Sequence, residues 1–244
     1  MNLSRAQDTA RRLFDPLLAV VFPSSCPACG ALLAHPAGGP LCERCWQSLP
    51  RHRSCGCRCG LPLLPGRAEC GRCRRGRQPF AAGASLGPYD GSLRVLLHQL
   101  KFAGRRRAAA RLAGLLLEDA AVLRLVATSD VLVAVPLHPR RLRERGFNQS
   151  ALIAAELARA AGRLFSPEAL VRRRDTAPQS GLKAAERRRN VRGAFVVRRR
   201  ACVVGRVVTL VDDVVTTGAT AQACAQALTT AGAAEVRLLT AARA

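Results

Sequence analysis

Aromatic residues make up only 4% of the 244-residue chain, as one Trp, one Tyr and seven Phe. Single-strand nucleic-acid platforms stack bases on aromatic rings, so an extended stacking surface is disfavoured. Lysine is almost missing, present only at Lys101 and Lys183. Acids are scarce as well: 16 Asp and Glu stand against 39 Lys and Arg, a formal net charge of +23. Codon drift accounts for arginine in place of lysine but not for the missing acids, and such a field attracts polyanions. No apolar run approaches the ~20 residues of a membrane-spanning helix. Leu17 to Phe22 is short, follows Asp15-Pro16 and ends at Pro23, so it does not read as a signal peptide. From these absences neither membrane insertion nor secretion is expected, and the chain reads as cytoplasmic. Hydrophobic residues still amount to 49%, ample for a core and incompatible with a wholly disordered chain.

Cysteine is abundant and unevenly placed. Of eleven, only Cys202 and Cys224 lie beyond the first third, and both fall in elements where a buried thiol packs as a small hydrophobe. The other nine punctuate a stretch of Arg, Gly and Pro. Cys26-Pro-Ala-Cys29 and Cys42-Glu-Arg-Cys45 are two C-x-x-C pairs separated by twelve residues. They are followed by Cys55-Gly-Cys57-Arg-Cys59-Gly60 and Cys70-Gly-Arg-Cys73. Without a secretory segment, such pairs read as metal ligands rather than disulfides. Four thiolates satisfy tetrahedral Zn²⁺ and leave no open position, so the expected metal is structural. One site takes Cys26, Cys29, Cys42 and Cys45; the other takes Cys59, Cys70 and Cys73 with either Cys57 or Cys55.

The texture changes near residue 80, which divides the chain into a Cys-rich module, 1–80, and a second domain, 81–244. Ala10 to Phe22 is an amphipathic opening stretch. Beyond residue 80, Ala84 to Tyr89, Val131 to Val135, Val207 to Val211 and Val236 to Thr240 read as strands. Leu93 to Phe102, Ala108 to Val126, Asn148 to Ala161 and Thr220 to Ala231 read as helices. This alternation predicts an α/β fold, a parallel sheet covered by helices on both faces. Arg172 to Arg200 reads as an irregular loop of net charge +9, from eleven Lys and Arg against Asp175 and Glu186, and loops of that length are commonly functional.

The clearest chemical signal is VVTLVDDVVTTGAT, residues 207–220. An apolar strand delivers Asp212 and Asp213, and the short loop Thr216-Thr217-Gly218-Ala219-Thr220 then opens a helix. Backbone N–H groups and hydroxyls at the positive end of a helix cradle an anion, and Gly218 permits close approach. The carboxylates suit a sugar diol or a hydrated Mg²⁺. A phosphate beside a diol describes a ribose 5-phosphate. Neither G-x-x-x-x-G-K-[ST] nor a G-x-G-x-x-G turn is present here.

This run resembles the phosphoribosyl-pyrophosphate (PRPP) motif of type I phosphoribosyltransferases. Together with the cysteine pairs, HQLKFAGR (His98 to Arg105), VPLHPRRLRERGFNQS (Val135 to Ser150) and RRRN (Arg187 to Asn190), it resembles the ComF/GntX family over essentially the whole chain. One departure is visible, because the family's third pair is usually C-x-x-C-G and Gly56 occupies its first position here. The resemblance implies a phosphoribosyltransferase-like domain binding Mg-PRPP, with Asp212 and Asp213 on the diol and Thr216 to Thr220 on the 5-phosphate. It implies a pyrophosphate-facing or flexible-loop role for Lys101, Arg140, Arg141, Arg143, Arg145, Asn148 and Arg187. Asn148 and Gln149 equally suit a helix cap, and Arg172 to Arg189 corresponds to the loop that closes over the site. The implied chemistry is transfer of the 5-phosphoribosyl group with release of pyrophosphate. The implied setting is natural competence, with incoming single-stranded DNA and a helicase as partners. The residues themselves name no general base and no acceptor. A glutamine-dependent amidophosphoribosyltransferase is not expected, since that needs an N-terminal nucleophilic Cys where this sequence has Met1-Asn2-Leu3. The alternative is a non-catalytic, zinc-containing single-strand-binding protein regulated by PRPP.

Overall fold

The structure, a computed structural model, describes residues 24–33, 39–52, 56–64, 66–76, 78–102, 107–175 and 184–244. The amphipathic stretch at 10–22 and Cys55 lie outside them. Among the described residues no helix is long and apolar enough to cross a membrane.

Five strands form one parallel sheet: β1 (Ala82–Pro88), β2 (Val131–Ala134), β3 (Leu164–Phe165), and, after a separate antiparallel pair, β6 (Val207–Val215) and β7 (Glu235–Arg243). Their spatial order is β1-β7-β6-β2-β3, with every pairing parallel. The separate pair is β4 (Leu170–Arg172) with β5 (Phe195–Val197). β2 is a run of Val, Leu and Ala buried throughout, and Val208, Leu210 and Val211 of β6 are buried beside it, as strands covered from both sides must be. A buried hydroxyl pair, Ser129 Oγ to Thr209 Oγ1 at 2.6 Å, ties the entry of β2 to β6.

Helices cover both faces. Leu132, Ala134, Val211 and Leu239 share one core with α3 (Gly91–Phe102), α4 (Arg107–Leu117), α5 (Ala120–Ala127) and α7 (Gln149–Ala160). Val131, Val133, Val208, Leu210 and Leu238 share the opposite core with α9 (Ala219–Thr230) and the β4–β5 pair. The remaining helices are α1 (Glu43–Gln47) and α2 (Gly71–Arg75) in the Cys-rich region, α6 (Pro139–Arg145) and α8 (Ala184–Val191).

The Cys-rich region docks onto the sheet's β1 edge. Leu33, Leu41, Trp46 and Leu49 join the first core beside Leu86 and Leu93. The approach needs glycine on the strand. A Cβ on Gly83 would lie 2.6 Å from the Arg58 carbonyl oxygen and 2.8 Å from the Gly60 nitrogen, and one on Gly87 would overlap the Pro50 carbonyl.

Three expectations are corrected. The single helix over Ala108 to Val126 is two, α4 and α5. Asp119 ends the run by capping α5, its carboxylate accepting from the N–H groups of Ala121 at 2.8 Å and Val122 at 3.1 Å. The irregular segment Arg172 to Arg200 contains α8 and β5, because Phe195-Val196-Val197 pairs with Leu170-Val171-Arg172. Strand β6 does not stop at Val211. It runs to Val215 because the equally long β7 pairs with it as far as Val215 to Arg243. The aspartates therefore sit within the strand and not just beyond it.

Candidate functional site

On the β2 side, β6 loses its neighbour after Val211, which accepts the last bond from the Val135 N–H at 2.9 Å. Pro136 then carries the chain away into α6. Strand β2 leads outward to β3 and β6 leads the other way to β7, so the connections after β2 and β6 diverge. A crevice at the carboxyl end of a parallel sheet, where strand order reverses, is where such folds bind ligands.

Asp212 and Asp213 reach that crevice from opposite faces, as consecutive strand residues must. Asp212 accepts a hydrogen bond from Ser150 Oγ at 3.2 Å and from the Asp213 N–H at 3.0 Å. It also lines a pocket with Val214 and the loop 216–221. Burial, with the neighbouring Asp213 carboxylate, pushes Asp212 well above the ordinary carboxylate range. Asp213 faces α3 and forms an ion pair with Lys101, Nζ to Oδ2 at 2.8 Å. Burial opposes the Lys101 ammonium, but Asp213 and Asp212 outweigh it and hold its pKa above the ordinary lysine value. Lys101 is thus placed on the acidic pair.

The loop turns at Gly218, whose φ of +79° lies in the left-handed region and which caps α9. A side chain there would be strained. Thr217 Oγ1 accepts from the Ala219 N–H at 3.4 Å, so the loop folds over the first turn of the helix. Thr216, Thr217, Gly218, Ala219 and Thr220 all line the same pocket.

The arginines after β2 ride on α6, a helix the sequence reading missed. His138 caps it and Pro139 opens it, a position proline favours, while Gly146 at φ +77° ends it. Arg140 is exposed and pairs with Glu144 at 3.0 Å and Asp175 at 3.6 Å. Arg145 is half-buried and donates to Gln149 Oε1 at 2.7 Å. Its guanidinium pKa is lowered, chiefly by burial and also by Arg141, against an opposing effect of Asp213. Arg143 is exposed. Asn148 caps α7, accepting from the Ser150 N–H at 3.0 Å, and its Nδ2 donates to the Val135 carbonyl at 2.9 Å, pinning the helix to the end of β2. Arg187 lies on α8, and its side chain is outside the described residues.

Sequence reasoning missed Ser150, which one hydroxyl in GFNQS did not mark as an aspartate partner. It also missed Arg172, buried with its guanidinium 5.7 Å from the Phe195 ring centroid, for which the arginine-rich run gave no distinguishing signal.

The cysteines assemble into two sets of four. In Cys26, Cys29, Cys42 and Cys45, and in Cys57, Cys59, Cys70 and Cys73, all sulfurs lie within 4.8 Å of one another. Cys29 to Cys42 is 3.6 Å and Cys59 to Cys70 is 3.7 Å. Tetrahedral Zn²⁺ with ~2.3 Å bonds holds sulfurs about 3.8 Å apart, so both sets fit the ion. Backbone N–H groups turn inward as thiolate ligands require: Cys70 N donates to Cys57 Sγ at 3.3 Å and Cys73 N to Cys70 Sγ at 3.4 Å. Burial, with hydrogen bonds among the crowded sulfurs, pushes Cys45 up to about 12 and Cys73 also upward. Four thiolates thus need a cation to coexist. The structure brings Cys57 into the second set.

A double zinc ribbon family matches residues 17–74. The DNA utilization protein YhgH of Salmonella typhimurium is 38% identical over 219 residues, 88% of this chain and 95% of the relative. Competence protein F of Haemophilus influenzae is 31% identical over 215 residues, 86% of this chain and 93% of the relative. The chain belongs to the ComF/GntX family. Solved structures similar to this ComF/GntX protein include a glutamine PRPP amidotransferase from B. subtilis, at 25% identity and TM-score 0.38, covering 56% of this chain and 26% of that one. Another is a phosphoribosyltransferase from Corynebacterium diphtheriae, at 22% identity and TM-score 0.26, covering 54% and 80%.

Proposed function

We propose that this ComF/GntX protein binds PRPP in the crevice between β2 and β6. The observation that carries the reading is the continuity of β6, Asp212-Asp213, the left-handed turn at Gly218 and the start of α9. It puts carboxylate chemistry and an N–H-rich anion cradle in one pocket. The loop Thr216 to Thr220 takes the 5-phosphate, and Asp212 and Asp213 take the ribose hydroxyls, with Ser150 and Lys101 fixing their orientation. The Arg141–Arg145 edge of α6 meets the pyrophosphate, where guanidinium forks pair bidentately with phosphate oxygens. Mg²⁺ enters with the pyrophosphate as part of the ligand and supplies charge neutralisation.

Phosphoribosyl transfer follows from that arrangement if an acceptor binds beside ribose C1. The bond from C1 to the pyrophosphate oxygen breaks as the acceptor's bond to C1 forms, and pyrophosphate leaves. The oxocarbenium-like transition state asks for positioning and charge stabilisation more than covalent help. Both are within reach of α6 and the 216–220 loop. The names of the relatives support a setting in competence and DNA utilization; the location that goes with this reading is the cytoplasm. The ribbon region, 1–80, forms one unit and 81–244 the ligand-binding unit.

Calorimetric titration of the zinc-loaded protein with Mg-PRPP, beside the Asp212→Asn/Asp213→Asn double variant, tests the reading. Binding by the native protein and its loss in the variant are expected. No binding by the native protein overturns it.

A second reading is favoured by the charge of +23: single-stranded DNA binds the arginine surface, beside a helicase partner, and PRPP regulates it. Sequence-independent binding that weakens with salt is the signature. DNA binding retained by Asp212→Asn while PRPP binding is lost supports separate sites, and loss of both points to a shared groove.

A further inference from the structure

The second zinc set is built against the anion loop. Ligand Cys70 caps helix α2 and ligand Cys73 lies in its middle; between the two, the helix presents Arg72, whose Nη1 lies 3.5 Å from the carbonyl oxygen of Thr216, the first residue of the loop. Three further side chains tie the second set and the residues that flank it to one another and to the sheet domain. Gln222, in the first turn of α9, donates to Gln78 Oε1 at 2.8 Å. Arg58 donates to the Gln78 carbonyl at 3.2 Å and the Cys73 carbonyl at 3.3 Å. The buried Arg243, which pairs in β7 with Val215, has a guanidinium nitrogen 4.0 Å from Cys59 Sγ.

The loop itself, Thr216-Thr217-Gly218-Ala219-Thr220, has no basic side chain. The aligned peptides of α9 supply only about half a positive charge at its N-terminus, well short of a phosphate ester's demand. Arg72 is exposed, and among the described residues it makes no ion pair with a carboxylate. At 3.5 Å its contact with Thr216 is long for a hydrogen bond, and a guanidinium has five N–H donors, so its donors are largely available.

We propose that Arg72 is a phosphate ligand of the 216–220 loop, held there by the second zinc set, so that the Cys57–Cys73 knuckle is part of the ligand site. The inference rests on the PRPP reading and deepens it. The ribbon then supplies the cation that the loop lacks, and the zinc orients that cation by holding the residues on either side of it, Cys70 and Cys73. Loss of this one metal removes phosphate affinity even where β6 and α9 are intact.

The experiment measures Mg-PRPP affinity calorimetrically for the zinc-loaded native protein, Arg72→Ala and Arg74→Ala, with zinc content determined for each. Arg74 lies on the same short helix and removes the same charge, so it reports the general field. The expected result is a ten- to hundredfold loss of affinity for Arg72→Ala (about one charge-assisted hydrogen bond), little change for Arg74→Ala, and unchanged zinc content in both. Equal affinity for Arg72→Ala and native protein overturns the inference and leaves the PRPP reading standing. Equal losses in the two variants also overturn it, since a diffuse field then accounts for the effect. No binding by the native protein overturns the PRPP reading and this inference with it.

Discussion

Lys101 Nζ lies 2.8 Å from Asp213 Oδ2, joining helix α3 to the carboxyl-terminal part of β6. Breaking such a pair leaves a charge in low dielectric, which costs about 3 kcal/mol. Lys101→Met should lower the urea midpoint accordingly. The Lys101 pKa is raised in the folded state from 10.5. Its contribution is therefore complete below that value and lost only as pH rises past the folded one. The gap between native and variant should be level from about pH 6 to pH 9; a gap that closes within that range contradicts the assignment.

Asp212 has the same sign in a lower pH range. Its pKa is pushed up by burial and by Asp213, so the folded state holds this proton more tightly than the unfolded chain. The group favours folding when protonated, and that contribution is lost as pH rises through its folded value. Asp212→Asn, which keeps an oxygen for the Ser150 hydroxyl, should stabilise the ligand-free protein near neutral pH by about 1–3 kcal/mol. The gain should shrink as pH falls toward 4, in thermal melts across a pH series.

Two zinc ions per chain are expected from a colorimetric release assay. Cys29→Ser and Cys57→Ser should each leave one, whereas Cys55→Ser should leave two, because Cys57 already completes the second set. Chelation should lower the melting temperature, since metal binding and folding are coupled at such sites.

Gly87→Ala should destabilise by about 1–3 kcal/mol or more, through overlap with the Pro50 carbonyl. Gly114→Ala, at a helical site where a Cβ meets nothing within 4 Å, is the control and should be neutral or slightly stabilising. Denaturant midpoints compare the two.

The sequence made the parallel sheet, its helical layers and the anion loop legible, because β-branched runs and helical spacing reflect burial that each segment needs wherever it packs. The extent of β6 was not legible. Asp212 and Asp213 look like a strand's end until β7 is seen to pair with them, and that pairing is a property of two distant segments. Helix α6 was hidden for another reason: its four arginines leave no apolar stripe, and it is held by the His138 cap, Pro139 and Gly146. The cysteine sets were readable as spacing. The choice of Cys57, and the placement of Arg72 on Thr216, depend on how the ribbon docks on β1, which no local pattern encodes.

Strand β7 lies between β1 and β6 yet is made after both. As the chain leaves the ribosome, β1 and the ribbon resting on it have no partner strand until residues 235–243 appear, some 150 residues later. The sheet therefore closes only once residues 235–243 have been made, across a long sequence separation that slows folding. Until then the unpaired edges of β1 and β6 are open to pairing with other chains, and a chain cut short after residue 234 would keep them so.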